Sequence, residues 1–182
     1  MMNYCSICGS DKLVTKIPEG DHLPRIICTN CKEVHYINPK IIVGCVITDS
    51  EGKVMMARRG IEPRQNYWNL PAGFMELRET VDQGALREVF EETGARVSIK
   101  KMLTVYNVPH AGQVYVIFHA DLENSTYHTT PESLEINFFA EENIPWDEVA
   151  FSSNEFALKT FFENRRTNMW DVKLGTYDKD TE

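Results

Sequence analysis

Glu88, Glu91 and Glu92 stand at i, i+3 and i+4 within a stretch, Thr80 to Thr93, that reads as a helix. Three carboxylates therefore share one helix face. Like charges at that spacing destabilise a bare helix, and nothing basic lies within the triplet. A chain that keeps them must leave the face in water or gather a hard divalent cation, which takes oxygen ligands and retains waters and substrate phosphates. The helix is well signalled at both ends: Thr80 with Gln83 forms a capping-box pattern, and Gly94 sits where helices stop. Val81, Ala85 and Val89 mark its apolar line. Glu79 and Arg87 are about two turns apart, so Arg87 can tie the preceding loop to the helix by a charge-assisted bond. Gly73 lets the backbone turn tightly beside the carboxylates.

The acidity is concentrated. Across 182 residues, 27 acids against 19 Lys and Arg give −8, with net −4 over residues 73–95 and net −6 over residues 131–150. Such a chain lacks a general basic face, so nucleic acid is not an expected partner. No apolar run approaches the roughly 20 residues that cross a bilayer, so no membrane partner is expected. The N-terminus has neither a basic start nor an apolar signal core, and the expected location is cytoplasmic.

Five cysteines fall as Cys5-x2-Cys8, Cys28-x2-Cys31 and the single Cys45. Without a secretory leader, a metal site is favoured over a disulfide framework. Paired knuckles separated by nineteen residues match a zinc ribbon, with Cys5, Cys8, Cys28 and Cys31 holding a structural Zn²⁺ tetrahedrally. A redox C-x2-C would leave the second pair unexplained. Cys45, inside an apolar run, reads as a small core residue. Residues 1–40 carry five bases and four acids with no aromatic-basic stripe, which argues against a nucleic-acid-binding ribbon.

The expected organisation is a ribbon over 1–37, a main domain over 38–153, and a C-terminal helix and polar tail over 154–182. Ile41–Thr48 is almost wholly apolar and β-branched, as in a strand buried on both faces. Asp49–Gly52 is a turn, and Lys53–Arg58 the returning strand. Residues 60–79, with Pro63, Pro71 and Gly73, read as irregular. Further strands are expected over Val97–Tyr106, Val114–Asp121 and Leu134–Phe139, and a second helix over Asn154–Asn164. The tail from Gly175 reads as polar and frayed.

Residues 73–95 resemble the Nudix box: Gly73, five residues, Glu79, seven residues, Arg87-Glu88-Val89, one residue, Glu91-Glu92, one residue, Gly94-Ala95, with every fixed position matched. The resemblance implies an α/β fold, the Nudix α/β/α sandwich with a mixed sheet, behind the small zinc-ribbon module. It also implies Mg²⁺- or Mn²⁺-dependent hydrolysis of a nucleoside diphosphate linked to another group. By position, Glu88, Glu91, Glu92 and the carbonyl of Ala72 would hold the catalytic metals, with Glu79 and Arg87 mainly architectural. The general base is open among Glu91, Glu92 and, from the distal acidic stretch, Glu135 or Glu132. A homodimer is expected from the resemblance alone.

Two groups join a zinc ribbon to this domain. The NADH pyrophosphatases carry a Ser-Gln-Pro-Trp-Pro-Phe-Pro run after the box, which Lys101–His110 lacks. The chain is more similar to a group that includes plant plastid FAD pyrophosphatases and bacterial relatives, through Ile17–Gly20, Asn38–Lys40, Trp68–Gly73, Gly112–Phe118, Glu132–Glu135 and Ile144–Ser153. The expected small-molecule substrate is therefore FAD, cut to FMN and AMP, or ADP-ribose. Substrate contacts are expected from Arg58, Arg59, Tyr67, Phe74, Tyr106, Tyr115 and Gln113. Trp68 reads as core and His110 as a solvated loop residue. The alternatives are an NADH pyrophosphatase, a broad nucleoside triphosphate hydrolase, and a non-catalytic ligand sensor; sensors typically lose box carboxylates that this chain keeps.

Overall fold

In the computed structural model, residues 2–177 are described. Their contacts divide the chain into two units, residues 1–38 and residues 39–182.

In the first unit, β1 (Leu13–Lys16), β2 (Arg25–Cys28) and β3 (Val34–His35) form an antiparallel sheet in that order. The two knuckles are built alike. After each second cysteine-pair turn the backbone enters the left-handed region, at Gly9 (φ +71°) and Lys32 (φ +67°). Their amides donate to the Cys5 and Cys28 carbonyls, each at 2.9 Å. Each turn points two sulfurs to one side.

The second unit is built around β4 (Lys40–Thr48), which pairs in parallel with β9 (Gln113–Leu122). Its other edge meets β5 (Val54–Arg59) and β7 (Ala72–Phe74), both antiparallel. With β6 (Trp68–Asn69), β8 (Val97–Val108), β10 (Ser133–Phe139) and β11 (Lys173–Thr176), these make a mixed sheet ordered β10-β5-β4-β9-β8-β11. Alternation along β4 sends its side chains to two cores. Val43, Cys45 and Ile47 pack with Ala85 and Val89 of α1 (Val81–Thr93), whereas Val46 packs with Leu158, Phe161 and Phe162 of α2 (Ser152–Thr167). The result is the α/β/α sandwich. No helix among the described residues is long and apolar enough to cross a membrane.

The structure departs from the sequence reading at short or long-range elements. Residues 60–79 contain β6 and β7, whose two and three residues are held by register against β5 and β4 rather than by propensity. Gly175 and Thr176, expected in a frayed tail, pair with Tyr106 and Asn107 in β11; residues 178–182 lie outside the described residues. The segment from 154 on is no separate appendage, because α2 supplies much of one core of the second unit.

Both signals at the ends of α1 are realised. Thr80 Oγ1 accepts from the Gln83 amide at 3.5 Å while Gln83 Oε1 accepts from the Thr80 amide at 2.9 Å. Gly94, at φ +66°, donates its amide to the Phe90 carbonyl at 2.8 Å. Replacing Thr80 by alanine is expected to cost about 1 kcal/mol of unfolding free energy in a urea titration.

Candidate active site and zinc ribbon

Arg87 organises the box. Its Nε donates to Glu79 Oε2 at 3.0 Å, and its terminal nitrogens donate to Glu79 Oε1 and Glu88 Oε1 at 2.8 Å, Glu91 Oε2 at 2.9 Å and the Phe74 carbonyl at 3.0 Å. One guanidinium thus joins loop, strand β7 and helix α1. The Arg87 hydrogen bonds, with one from the Glu76 amide, hold the Glu79 carboxyl down at about 2. Gly73 lets the Glu88 carboxylate lie against the strand: a Cβ there would stand 2.2 Å from Glu88 Oε2 and displace it.

Beside these groups lies a cleft of about 960 Å³ within the second unit. It brings together Glu88, Glu91, Glu92, Arg87, Ala72, Phe74, Arg59, Gln113 and Tyr115 from the expected set, with Glu132 and His110. Glu79 lies outside the lining residues, behind Arg87. The electrostatics there are strained. Burial, reinforced by the Glu88 charge, pushes the Glu92 carboxyl up to about 8, against the opposing pull of the Ala72 backbone; Glu132 adds to the rise and Arg59 opposes it. Burial also raises Glu88. Burial and mutual repulsion at Glu88 and Glu92 are what a divalent cation would relieve.

Other expected residues lie elsewhere. Glu135 is not a lining residue; it pairs with Arg58 at 3.5 Å, on the far side of a register shift between Ser133 and Glu135. Arg58 also pairs with Glu148 and stacks on Trp68. Trp68 is in the core, 4 % exposed. Tyr106, buried, packs on Phe156, and Tyr67 stacks with Arg64; neither lines the cleft. Of the two distal candidates, Glu132 lines the cleft and Glu135 does not. Its loop is pinned by Thr130, whose Oγ1 donates to the Glu92 carbonyl at 3.3 Å and accepts from the Glu132 amide at 3.2 Å, and by the Gly60 amide donating to the Glu132 carbonyl at 2.8 Å. Asn69, Phe151, Ser153 and Asn154 also line the cleft and were not singled out from sequence. Phe-Ser-Ser before a helix reads as a cap, not as a ligand wall.

In the first unit, the Cys5, Cys8, Cys28 and Cys31 sulfurs all lie within 4.8 Å of one another, with Cys5–Cys31 and Cys8–Cys28 at 3.6 Å. A tetrahedral zinc–thiolate site, with Zn–S near 2.3 Å, separates its sulfurs by about 3.8 Å, so the four fit zinc. Cys45 lies in the core of the second unit, apart from this set.

The NUDIX domain family matches residues 38–161, and the zinc-ribbon family described as Nudix N-terminal matches residues 3–37. The chain belongs to the Nudix family. The crystal structure of a NUDIX hydrolase from Nitrosomonas europaea is similar, with TM-score 0.92 and 45% identity over 98% of this chain and 100% of that one. The NAD-capped RNA hydrolase NudC of Shigella dysenteriae serotype 1 is 30% identical over 78% of this chain and 53% of its own length. An ADP-ribose pyrophosphatase of Methanocaldococcus jannaschii is 29% identical over 60% of this chain and 67% of its own. This Nudix chain thus spans about half the length of the NudC relative.

The raised carboxyls give a pH signature. Unfolded, Glu92 ionises near its ordinary 4.5; folded, it keeps its proton up to about 8. The folded state therefore binds more protons over that interval, and stability falls as pH rises through it. His119, which burial holds below 6.5, has the opposite slope, but only below that value. Zinc-loaded protein without added Mg²⁺ is accordingly expected to lose melting temperature from pH 7 to pH 8, and Mg²⁺ at pH 8 to recover it. Glu92→Gln should flatten the dependence, as followed by circular dichroism melts.

Proposed function

We propose that this Nudix chain is a divalent-metal-dependent pyrophosphohydrolase of nucleoside diphosphate derivatives, cutting FAD to FMN and AMP or ADP-ribose to AMP and ribose 5-phosphate. One observation carries the reading: Glu88, Glu91, Glu92 and Glu132 converge on a cleft whose lining also offers Arg59 and uncharged polar groups. A cavity near 960 Å³ is at the upper end for small-molecule sites, as a dinucleotide needs. Mg²⁺ or Mn²⁺, when bound, neutralises pyrophosphate charge and makes a water nucleophilic near neutral pH. Glu88, Glu91 and Glu92 hold the metal, and Arg87 fixes where the first two point. Glu132 is the general base, since it lies in the cleft near enough to Glu92 to raise its carboxyl. Phe74 and Tyr115 offer aromatic faces at the rim, and Gln113 accepts from the Tyr115 hydroxyl at 3.1 Å. The names of the M. jannaschii and S. dysenteriae relatives support a nucleoside diphosphate linkage as the target class and set the competing substrates.

A panel of kcat/KM values for FAD, ADP-ribose, NADH, NAD-capped RNA and nucleoside triphosphates, with and without Mg²⁺, tests the reading. FAD or ADP-ribose should lead, and turnover should vanish with EDTA. Preference for NADH or NAD-capped RNA would transfer the chain to that activity, and no turnover of any member would favour a ligand sensor. In the same assay Glu132→Gln should lower kcat by about 10²–10⁴-fold, the range of general-base catalysis. Glu135→Gln should leave it within about twofold, because its loss frees only an exposed ion pair with Arg58.

A further inference from the structure

Strand β11 follows α2 and lies at the edge of the sheet, parallel to β8, with Lys173–Thr176 opposite Thr104–Asn107. It adds little to either core. Lys173, Leu174 and Thr176 are exposed, Leu174 by 73 %. Asn107 nevertheless grips it closely. The Asn107 Nδ2 donates to the Gly175 carbonyl at 3.1 Å, and the Asn107 carbonyl accepts from the Tyr177 amide at 2.8 Å. Gly175 lets the strand approach, since a Cβ there would stand 2.6 Å from Tyr106 and 2.7 Å from Phe156. Backbone pairing, rather than apolar burial, therefore fixes the residue that follows the strand, Tyr177.

Parallel neighbours run toward the same end of a sheet. There β8 leads into the turn Pro109–Ala111 and β11 into Tyr177, so His110 and Tyr177 meet, with ring centroids 4.9 Å apart and planes at 51°. Strand β9, antiparallel to β8, starts at that end with Gln113 and Tyr115. Tyr177, His110, Ala111, Gln113 and Tyr115 all line the cleft that Glu88, Glu91 and Glu92 also line. These five offer aromatic faces and an amide but no carboxylate. Such a lining suits an uncharged planar ring, whereas a phosphoryl group is drawn to a metal held by the glutamates. The two rings are already in contact, so a ligand ring lies on their cleft side and not between them.

We propose that Tyr177, carried to the cleft by β11 and backed by His110, is the stacking platform for a planar heteroaromatic ring of the substrate, adenine or isoalloxazine. This subsite rests on the pyrophosphohydrolase reading and extends it, giving the ring-bearing part of a dinucleotide a place apart from the metal-holding glutamates. Stacking selects a flat π face and tolerates differences between rings. Strand β11 is then a specificity element: it favours diphosphates that carry a base over those that do not.

The experiment uses the full, zinc-loaded chain as wild type, Tyr177→Ala and Tyr177→Phe. AMP, FMN and ribose 5-phosphate are titrated by calorimetry with Mg²⁺ present, and KM and kcat are measured for FAD and ADP-ribose. In Tyr177→Ala the affinity for AMP or FMN should fall by about tenfold, the scale of one base–aromatic stack. Tyr177→Phe should restore it, and ribose 5-phosphate, which has no ring, should bind all three proteins alike. Loss for AMP identifies the ring as adenine, and loss for FMN alone as isoalloxazine. KM should rise by a similar factor while kcat stays within about twofold, because the ring is remote from the reacting phosphorus. Melting temperatures report folding; should Tyr177→Ala fold poorly, Tyr177→Leu keeps apolar bulk without a π face and should show the same loss. Unchanged AMP and FMN affinities in folded Tyr177→Ala or Tyr177→Leu, or an equal loss for ribose 5-phosphate, would overturn the platform and leave the enzymatic reading intact. Ring binding that is lost in Tyr177→Ala, in a wild type that cleaves no nucleoside diphosphate derivative, would support the platform and overturn the enzymatic reading.

Discussion

The site depends on one guanidinium. Arg87 reaches the loop through Glu79, strand β7 through the Phe74 carbonyl, and its own helix through Glu88 and Glu91. Arg87 is only partly buried, but its guanidinium makes several charge-assisted contacts at once, and hydrogen bonds to Glu79, Glu88 and Glu91 hold its proton firmly. Without it, Glu79, Glu88 and Glu91 would repel one another across a short distance and the turn through Gly73 would lose its tie to α1. With it, Glu88 and Glu91, two of the three glutamates proposed to hold metal, are already fixed by hydrogen bonds.

The sandwich positions that machinery. Strand β4 sits between α1 and α2, so its alternating side chains feed both cores, and β7 crosses its edge where Ala72 and Gly73 meet the helix. Because Gly73 has no Cβ, the Glu88 carboxylate can close on the strand. The opposite boundary is supplied by β5 with Arg59, by the loop ending at Glu132, and by the start of α2. The acidic groups come chiefly from one helix and one loop, and the cationic and neutral donors from other elements. A pyrophosphate with its metal needs both kinds of partner.

What was legible in the sequence was local. The capping box, the i, i+3, i+4 glutamates and the eight-residue reach from Glu79 to Arg87 are fixed by helix geometry alone, and the cysteine pairs by knuckle geometry. Placement that depends on register was not legible. Glu132 lies in the loop before β10 and lines the cleft, whereas Glu135 lies within the strand, past a register shift, and pairs with Arg58. Tyr106 and Tyr115 are both strand aromatics. Pairing with β11 and packing on Phe156 bury the first, whereas the second faces the cleft. Strands β6 and β7 are too short for any periodic signal, and Ser153 looks in sequence like one more residue near a helix start.

The acidity of the chain therefore has two distinct origins in the fold: part faces the cleft and part, such as Glu135 and Glu148, neutralises Arg58 of β5, one strand in from the sheet edge. That division makes a direct test of the central claim possible. Mn²⁺ binding, measured by the loss of the free-ion electron paramagnetic resonance signal, is compared in wild type and Arg87→Gln at equal helix content. If Arg87 aims the metal-holding glutamates, the variant should bind Mn²⁺ at least tenfold more weakly. Undiminished Mn²⁺ affinity in a folded Arg87→Gln protein would contradict it.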